Sequence, residues 1–323
     1  MQPDLSVKVD GHRFEHPIIN GAGLIKTIEQ VREICETALS AIVIGSITVS
    51  FRPGNEGSVY GGVPGVFSLN SLGIPNPGLE YYRDRGMLKE MIQIVHDKGK
   101  IAIVNVAGFS VEDFVVLTEV AYAAGADIVD ENFGCPNIVK NEGQTLVQKP
   151  VISYDLNFCD LILIALRAVA DKVWIKGSPF SNPLDRKKFA ALPASHSIVT
   201  GLVSTNTFPN ASAFNEDGRL VTTPANGFAG YAGPGLKPIA LAHVREYSQL
   251  LPNVAHIGAG GVSSGRDVLD YIRAGAKLTK IVTALLDPDG KHRYDRISEI
   301  LESYVDIIAS QGSLKAAMPI PIN

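Results

Sequence analysis

Along the chain, short runs of β-branched and other apolar residues alternate with longer stretches in which apolar positions return every three or four residues. The first kind of run reads as a strand buried on both faces, the second as a helix with one buried stripe. The strand runs are 17–23, 41–47, 101–107, 126–132, 172–178, 197–204, 254–260 and 277–284. Helical patterns lie near 27–38, 79–98, 110–124, 153–170, 183–192, 236–250, 264–274 and 292–310, several opened by a capping residue or a proline. The repeated strand-then-helix order predicts an α/β fold with a parallel sheet under helices, and the run of strands matches the (β/α)8 TIM barrel. Three connections, 48–78, 133–152 and 205–235, are long and carry little periodicity. Each follows the C-terminal end of a strand, the face on which barrel enzymes build their active sites, so they are expected to be active-site loops.

Composition narrows the picture. A barrel takes about 250 residues as one unit, so a single domain over 1–323 is expected. With 46% hydrophobic and 19% charged residues the chain can bury a sizeable core. Its formal net charge of -4 gives no electrostatic reason to bind a polyanion, so nucleic acid is not an expected partner. The start, MQPDLSVKVD, has no leader pattern, and the most apolar run, LILIAL, is cut by Arg167. A cytoplasmic protein without a membrane anchor is the expectation. Cys35, Cys135 and Cys159 are too few and scattered for a disulfide framework, and the seven histidines fall in no ligand spacing. Reduced thiols and no metal are expected.

Small and polar residues gather at the strand ends. Gly21, Ala22 and Gly23 close the first strand, Ser46 the second, Asn105 the third, Asn132 the fourth and Lys176 the fifth. Asn206 and Thr207 follow the sixth, Gly260 and Gly261 close the seventh and Thr283 the eighth. A flat heterocycle needs close backbone approach on one side and polar groups around its edge, which such a rim can supply. The glycines of IGAGGVSSGRDV precede a helix start, where free backbone N–H groups can hold a phosphate. A phosphorylated cofactor is therefore expected there, with Gly230 and Gly233 of GFAGYAGPG bringing further amides close. Lys176 lies in the apolar strand WIKGSP, where its ammonium needs an anionic partner that a cofactor can provide. Cys135 in ENFGCPN sits in a loop rather than a strand, and a polar or cationic setting would lower its pKa and fit it to act as a base. Cys35 and Cys159 fall on helical patterns and read as packing residues.

The stretches FRPGN, SLNSLGIPNPGLEYY, NVAGFSVEDF, NFGCPN, WIKGSP, STNT, GFAGYAGPGLKPIAL and IGAGGVSSGRDVLDYIRAGA, in this order, resemble the dihydroorotate dehydrogenase family through nearly the whole chain. Cys135, in place of the serine of the membrane-bound class, makes the chain similar to the soluble class 1. The resemblance implies an FMN with its phosphate near Gly260, Gly261, Val282 and Thr283. Ala22, Gly23, Ser46, Asn105, Asn132, Lys176 and Gly230 would surround the rest. It implies a dihydroorotate ring held by Asn70, Asn132, Asn137, Asn206 and Thr207, with backbone from Leu72, Gly73 and Ile74. Cys135 would take a proton while hydride passes to the flavin, and Lys176 would stabilise the negative charge that develops. A homodimer and a small electron acceptor such as fumarate are implied as well.

Three positions depart from the family pattern. Gly45 stands where a lysine usually reaches flavin and substrate carboxylate, Gly134 replaces the usual serine before the cysteine, and Val282 stands where a phosphate-binding glycine is common. The loss at Gly45 keeps a second reading open, an FMN enzyme acting on a different ring or an activated alkene. A third is a barrel that binds a phosphorylated ligand without catalysis. A flavin enzyme acting on RNA is disfavoured by the acidic balance and by the lack of an RNA-binding domain.

Overall fold

The computed structural model describes residues 3–142 and 145–310. Eight parallel strands form its centre: β1 (Ile18–Asn20), β2 (Ala41–Ile47), β3 (Ile101–Val106), β4 (Ile128–Asn132), β5 (Val173–Lys176), β6 (Val199–Ser204), β7 (Ala255–Ala259) and β8 (Leu278–Ile281). Every residue of β2, β3 and β4 is buried, because one face lines the barrel and the other lies under helices. Hydrogen bonding runs without a gap in the order β1–β8–β7–β6–β5–β4–β3–β2. The remaining seam, between β1 and β2, is stitched by a side chain. The Asn20 amide donates to the Val43 carbonyl and accepts from the Val43 N–H, both at 2.8 Å, as a strand peptide would.

Helices α1 (Ile28–Ile34), α2 (Met87–Asp97), α3 (Val111–Ala123), α4 (Leu156–Leu166), α5 (Pro183–Ser195), α6 (Lys237–Leu250), α7 (Gly265–Arg273) and α8 (Asp295–Ser310) cover the outside, so the (β/α)8 barrel expected from the sequence is the observed fold. Side chains satisfy the first free N–H groups of several: Ser110 accepts from Asp113, Asp155 from Phe158, Asn182 from Leu184 and Ser264 from Asp267. The helix expected over 79–98 is divided. Gly86, at φ +72°, starts α2 and separates it from a short π-helical turn at Glu80–Asp84. Below the barrel, the hairpin Val7–Val9 and His12–Phe14 closes the floor, placing Val9 and Phe14 in the inner core with Ile19, Val43, Ile103 and Trp174. The Trp174 indole reaches down to Asp10 Oδ2 at 2.6 Å.

The long connections are more regular than expected. Segments Tyr60–Val63 and Phe67–Asn70 after β2 pair with Ala229–Ala232 and Phe208–Ala211 after β6 in a four-stranded antiparallel sheet. In the connection after β4, Val139–Glu142 pairs antiparallel with Thr145–Gln148. Strands of four residues rich in glycine are too short to show a period, yet inter-strand hydrogen bonds hold them. No described helix is long and apolar enough to cross a membrane.

Candidate active site

At the C-terminal ends of the strands lies a cavity of about 380 Å³, within the usual range for a ligand pocket. From β1 and its following turn it receives Gly21, Ala22 and Gly23, and from β2 it receives Ser46. Gly23 has φ +111° and open space where a side chain would project, so the backbone there faces the cavity bare. Across from it, Gly260 and Gly261 after β7 adopt φ of +127° and +69°, and Val282 and Thr283 follow β8. A Cβ on Gly261 would sit 2.8 Å from the Gly233 carbonyl, so close passage of two backbones requires glycine there. Val282 is accommodated by Gly21, since any Cβ on residue 21 would run into a Val282 methyl group.

The rim carries two hydrogen-bonded chains. Ser46 Oγ donates to Asn105 Oδ1 at 2.5 Å, Asn132 donates to Ser46 Oγ at 3.1 Å, and Asn206 donates to Asn132 Oδ1 at 3.0 Å. On the loop side Asn137 donates to Asn70 Oδ1 at 2.7 Å, and Asn70 donates to the Gly230 carbonyl at 3.3 Å. Leu72, Gly73 and Ile74 complete that wall. Ile74 adopts φ +57°, costly for a β-branched residue, and Asn76 holds it by donating to its carbonyl at 2.9 Å. Three buried polar atoms on cavity-lining residues, Asn137 Oδ1, Thr205 Oγ1 and Thr207 Oγ1, have no partner among the described residues. Buried polar atoms are nearly always bonded, so these await a polar ligand.

Two expected contact residues lie one layer back. Asn105 is fully buried and reaches the cavity only through Ser46, and it donates to Asp130 at 3.0 Å. Gly230 does not line the cavity. It pairs with Asn70 and leaves room for Thr207, whose side chain occupies the place of a Cβ. Both therefore support neighbours that do face the cavity.

Cys135 packs against Ile74, Ala107 and Ile138, where the cavity meets a smaller one of about 170 Å³. The expected lowering of its pKa is not what this setting produces. Burial pushes the thiol above its ordinary value, and the Asn137 backbone, Lys176, Arg52 and Lys26 only partly oppose that. Lys176 stands at the end of β5, and its ammonium has no hydrogen bond or ion pair among the described residues. Burial, reinforced by nearby Lys280, pulls its pKa down to about 8, against attraction from Asp130 and Cys135.

Lys26, which the reading of strand ends passed over, also lines the cavity. Burial lowers its pKa to about 8, with Cys135 opposing. Its backbone is fixed on both sides: its N–H donates to Gln30 Oε1 at 2.7 Å and its carbonyl accepts from the Tyr82 hydroxyl at 2.9 Å. The signal for it was the one that marked Lys176, a lysine in an apolar run, here GLIK. At Gly45 no side chain fits. Its φ is +116°, and a Cβ would run into the Asn105 carbonyl, so a lysine cannot simply be restored there. Gly134 is similarly confined, with Gly177 and Asn206 atoms 2.7–2.8 Å from any Cβ.

Comparison with known proteins gives the family. A profile described as dihydroorotate dehydrogenase matches residues 4–305. A probable dihydroorotate dehydrogenase A (fumarate) of Streptococcus pneumoniae R6 is 31% identical over 301 residues, covering 92% of this chain and 91% of that one. Its namesake in Enterococcus faecalis V583 is 29% identical over 317 residues, covering 96% and 95%. A crystal structure of DHODH from Eimeria tenella in complex with ferulenol superposes with a TM-score of 0.78 at 18% identity, over 98% of this chain and 88% of that one, a likeness of fold. With the profile spanning nearly all of its length, the chain belongs to the dihydroorotate dehydrogenase family.

Proposed function

We propose that this chain is an FMN-dependent, class 1 dihydroorotate dehydrogenase that converts dihydroorotate to orotate and passes the electrons to fumarate. The observation that carries the reading is the meeting in one cavity of a loop thiol, two lysine ammonium groups and three polar atoms without partners among the described residues. The residues present fit the cofactor. Bare glycine backbone at Gly23 gives a flat ring close approach, and Gly260 and Gly261 ahead of α7, with Thr283 after β8, suit a phosphate. When bound, FMN would supply the acceptor for hydride from the substrate.

The protein's own part is positioning, proton removal and charge. Cys135 Sγ takes the proton from one ring carbon. Asn70, Asn132, Asn137, Asn206 and Thr207 orient the ring by its amide edges, with Leu72 to Ile74 closing the wall. Lys176 Nζ holds positive charge at the cavity floor, where negative charge develops. Lys26 answers the objection raised by Gly45. It brings a cation to the cavity from the loop after β1 rather than from β2, and the carboxylate of dihydroorotate is the anion that it meets. This favours dihydroorotate over a neutral ring or alkene. The protein is further taken to be cytoplasmic and homodimeric, as the soluble class is.

Lys26→Ala is expected to keep FMN bound and to raise KM for dihydroorotate roughly tenfold to a hundredfold, the cost of losing one charge-assisted hydrogen bond. Steady-state kinetics over a substrate series reads this directly, and an unchanged KM would exclude Lys26 from carboxylate binding. The reaction as a whole is tested by supplying dihydroorotate and fumarate. Orotate and succinate should appear in equal amounts, and a protein that holds FMN yet forms no orotate would overturn the proposal.

A further inference from the structure

Lys280 on β8 and Asp130 on β4 have no role in the reaction as derived. Both are inside the barrel, with Nζ 2.5 Å from Oδ2 and side chains 1% and 0% exposed. Lys280 also lies 5.8 Å from the centre of the Trp174 ring. The same Asp130 oxygen accepts from Asn105 at 3.0 Å, and Asn105 leads through Ser46 to Asn132. The carboxylate is thus the root of that hydrogen-bonded chain. Lys280 lines the cavity together with Lys176, and Lys176 feels both Lys280 and Asp130.

The charges at this floor do not cancel. Two ammonium groups and one carboxylate leave one positive charge, and a buried unpaired charge is unfavourable until an anion arrives. Asp130 Oδ1 has no partner among the described residues, so the carboxylate could accept a second cation. Lys280 already neutralises the carboxylate through Oδ2, and the Lys176 ammonium, with no ion pair among the described residues, faces the cavity.

We propose that Lys280 is a positioning residue: by engaging Asp130 it keeps the Lys176 ammonium available to the bound flavin, and it thereby sets the flavin's affinity for electrons. The inference rests on the flavin reading above. Without Lys280 the carboxylate is a buried anion lacking its partner, Lys176 turns to it, and the floor becomes neutral. With both Asp130 and Lys280 made neutral, Lys176 is unclaimed again and the single positive charge returns. A residue needed only for packing would not show this reversal.

The test compares FMN-loaded wild type, Lys280→Gln, Asp130→Asn and the double variant. Two readouts other than turnover are used, the midpoint potential of the bound flavin and its affinity for sulfite. Sulfite donates its sulfur lone pair to flavin N5, the displaced electron pair rests at the N1 side, and a positive pocket floor therefore strengthens the adduct. Lys280→Gln should weaken sulfite binding at least about tenfold and move the potential negative, because one net charge is lost from a poorly solvated site. The double variant should return close to wild type. Asp130→Asn should bind sulfite more tightly than wild type, a result that decides the matter even if Lys280→Gln fails to fold. Unmoved values in Lys280→Gln, a double variant as weak as the single, or an Asp130→Asn indistinguishable from wild type would each overturn the proposal. Wild-type protein that takes up no FMN would instead overturn the functional reading, and this inference with it.

Discussion

Replacing Cys135 by alanine should leave FMN bound and slow its reduction by dihydroorotate at least about a hundredfold, the low end for loss of a general base. The thiol stands where two cavities meet, against Ile74, Ala107 and Ile138, and among the described residues the only carboxylates and histidine lining either cavity are Asp155, Asp289 and His292. Rapid mixing without oxygen separates this step from reoxidation, and near-normal reduction in the variant would remove Cys135 from the mechanism. The pH dependence should divide in two. Because burial raises the thiol, its reactive thiolate form gains with rising pH and the kcat limb lies above the ordinary thiol range. Lys26, lowered to about 8, loses its charge as pH rises through that value, so KM for the anionic substrate should increase there.

Lys176→Met should reduce the rate of flavin reduction roughly a hundredfold to a thousandfold, the range seen when one preorganised group facing developing negative charge is removed. The same change should stabilise the flavin-free protein. In the apoprotein the folded state holds Lys176 near pKa 8 against an ordinary 10.5, so the unfolded chain binds the proton more tightly. Stability from this group is therefore lacking below about 8 and is recovered as pH climbs toward 10.5. Methionine abolishes that penalty at neutral pH, and thermal unfolding of the two apoproteins measures it. A variant that reduced flavin at the wild-type rate would leave Lys176 with a structural role alone.

The barrel was legible because its strands are buried on both faces. Runs such as AIVIGSI and IAIVNVA have no polar face to confuse with a helix, and the described strands fall within the expected runs. What escaped depended on pairing between distant segments. The upper sheet joins four-residue strands from 60–70 and 208–232, and nothing local to FSLN announces its partner AGYA more than a hundred residues away. Asn20 reads as an ordinary strand end, and only the gap between β1 and β2 gives its amide a task.

At the site, strand-end residues such as Ser46, Asn132 and Lys176 were legible, since strand order alone brings them to one rim. Asn105 and Gly230 came out one layer behind, because a strand position does not say whether a neighbour such as Ser46 or Thr207 stands in front. Lys26 and Lys280 were missed for different reasons. The first lies beyond the end of β1, and the second sits within β8 rather than at its end, so neither falls among the strand-end residues. The direction of the Cys135 shift needed its burial, which composition cannot supply.

The central claim, that one cavity holds FMN beside the Cys135 thiol and oxidises dihydroorotate there, is tested most directly by titrating the flavin-loaded protein with dihydroorotate in the absence of oxygen. The yellow absorbance should bleach as about one orotate forms per flavin, the stoichiometry of a single hydride transfer. Flavin that stays oxidised under dihydroorotate, yet bleaches with a chemical reductant, would contradict that claim.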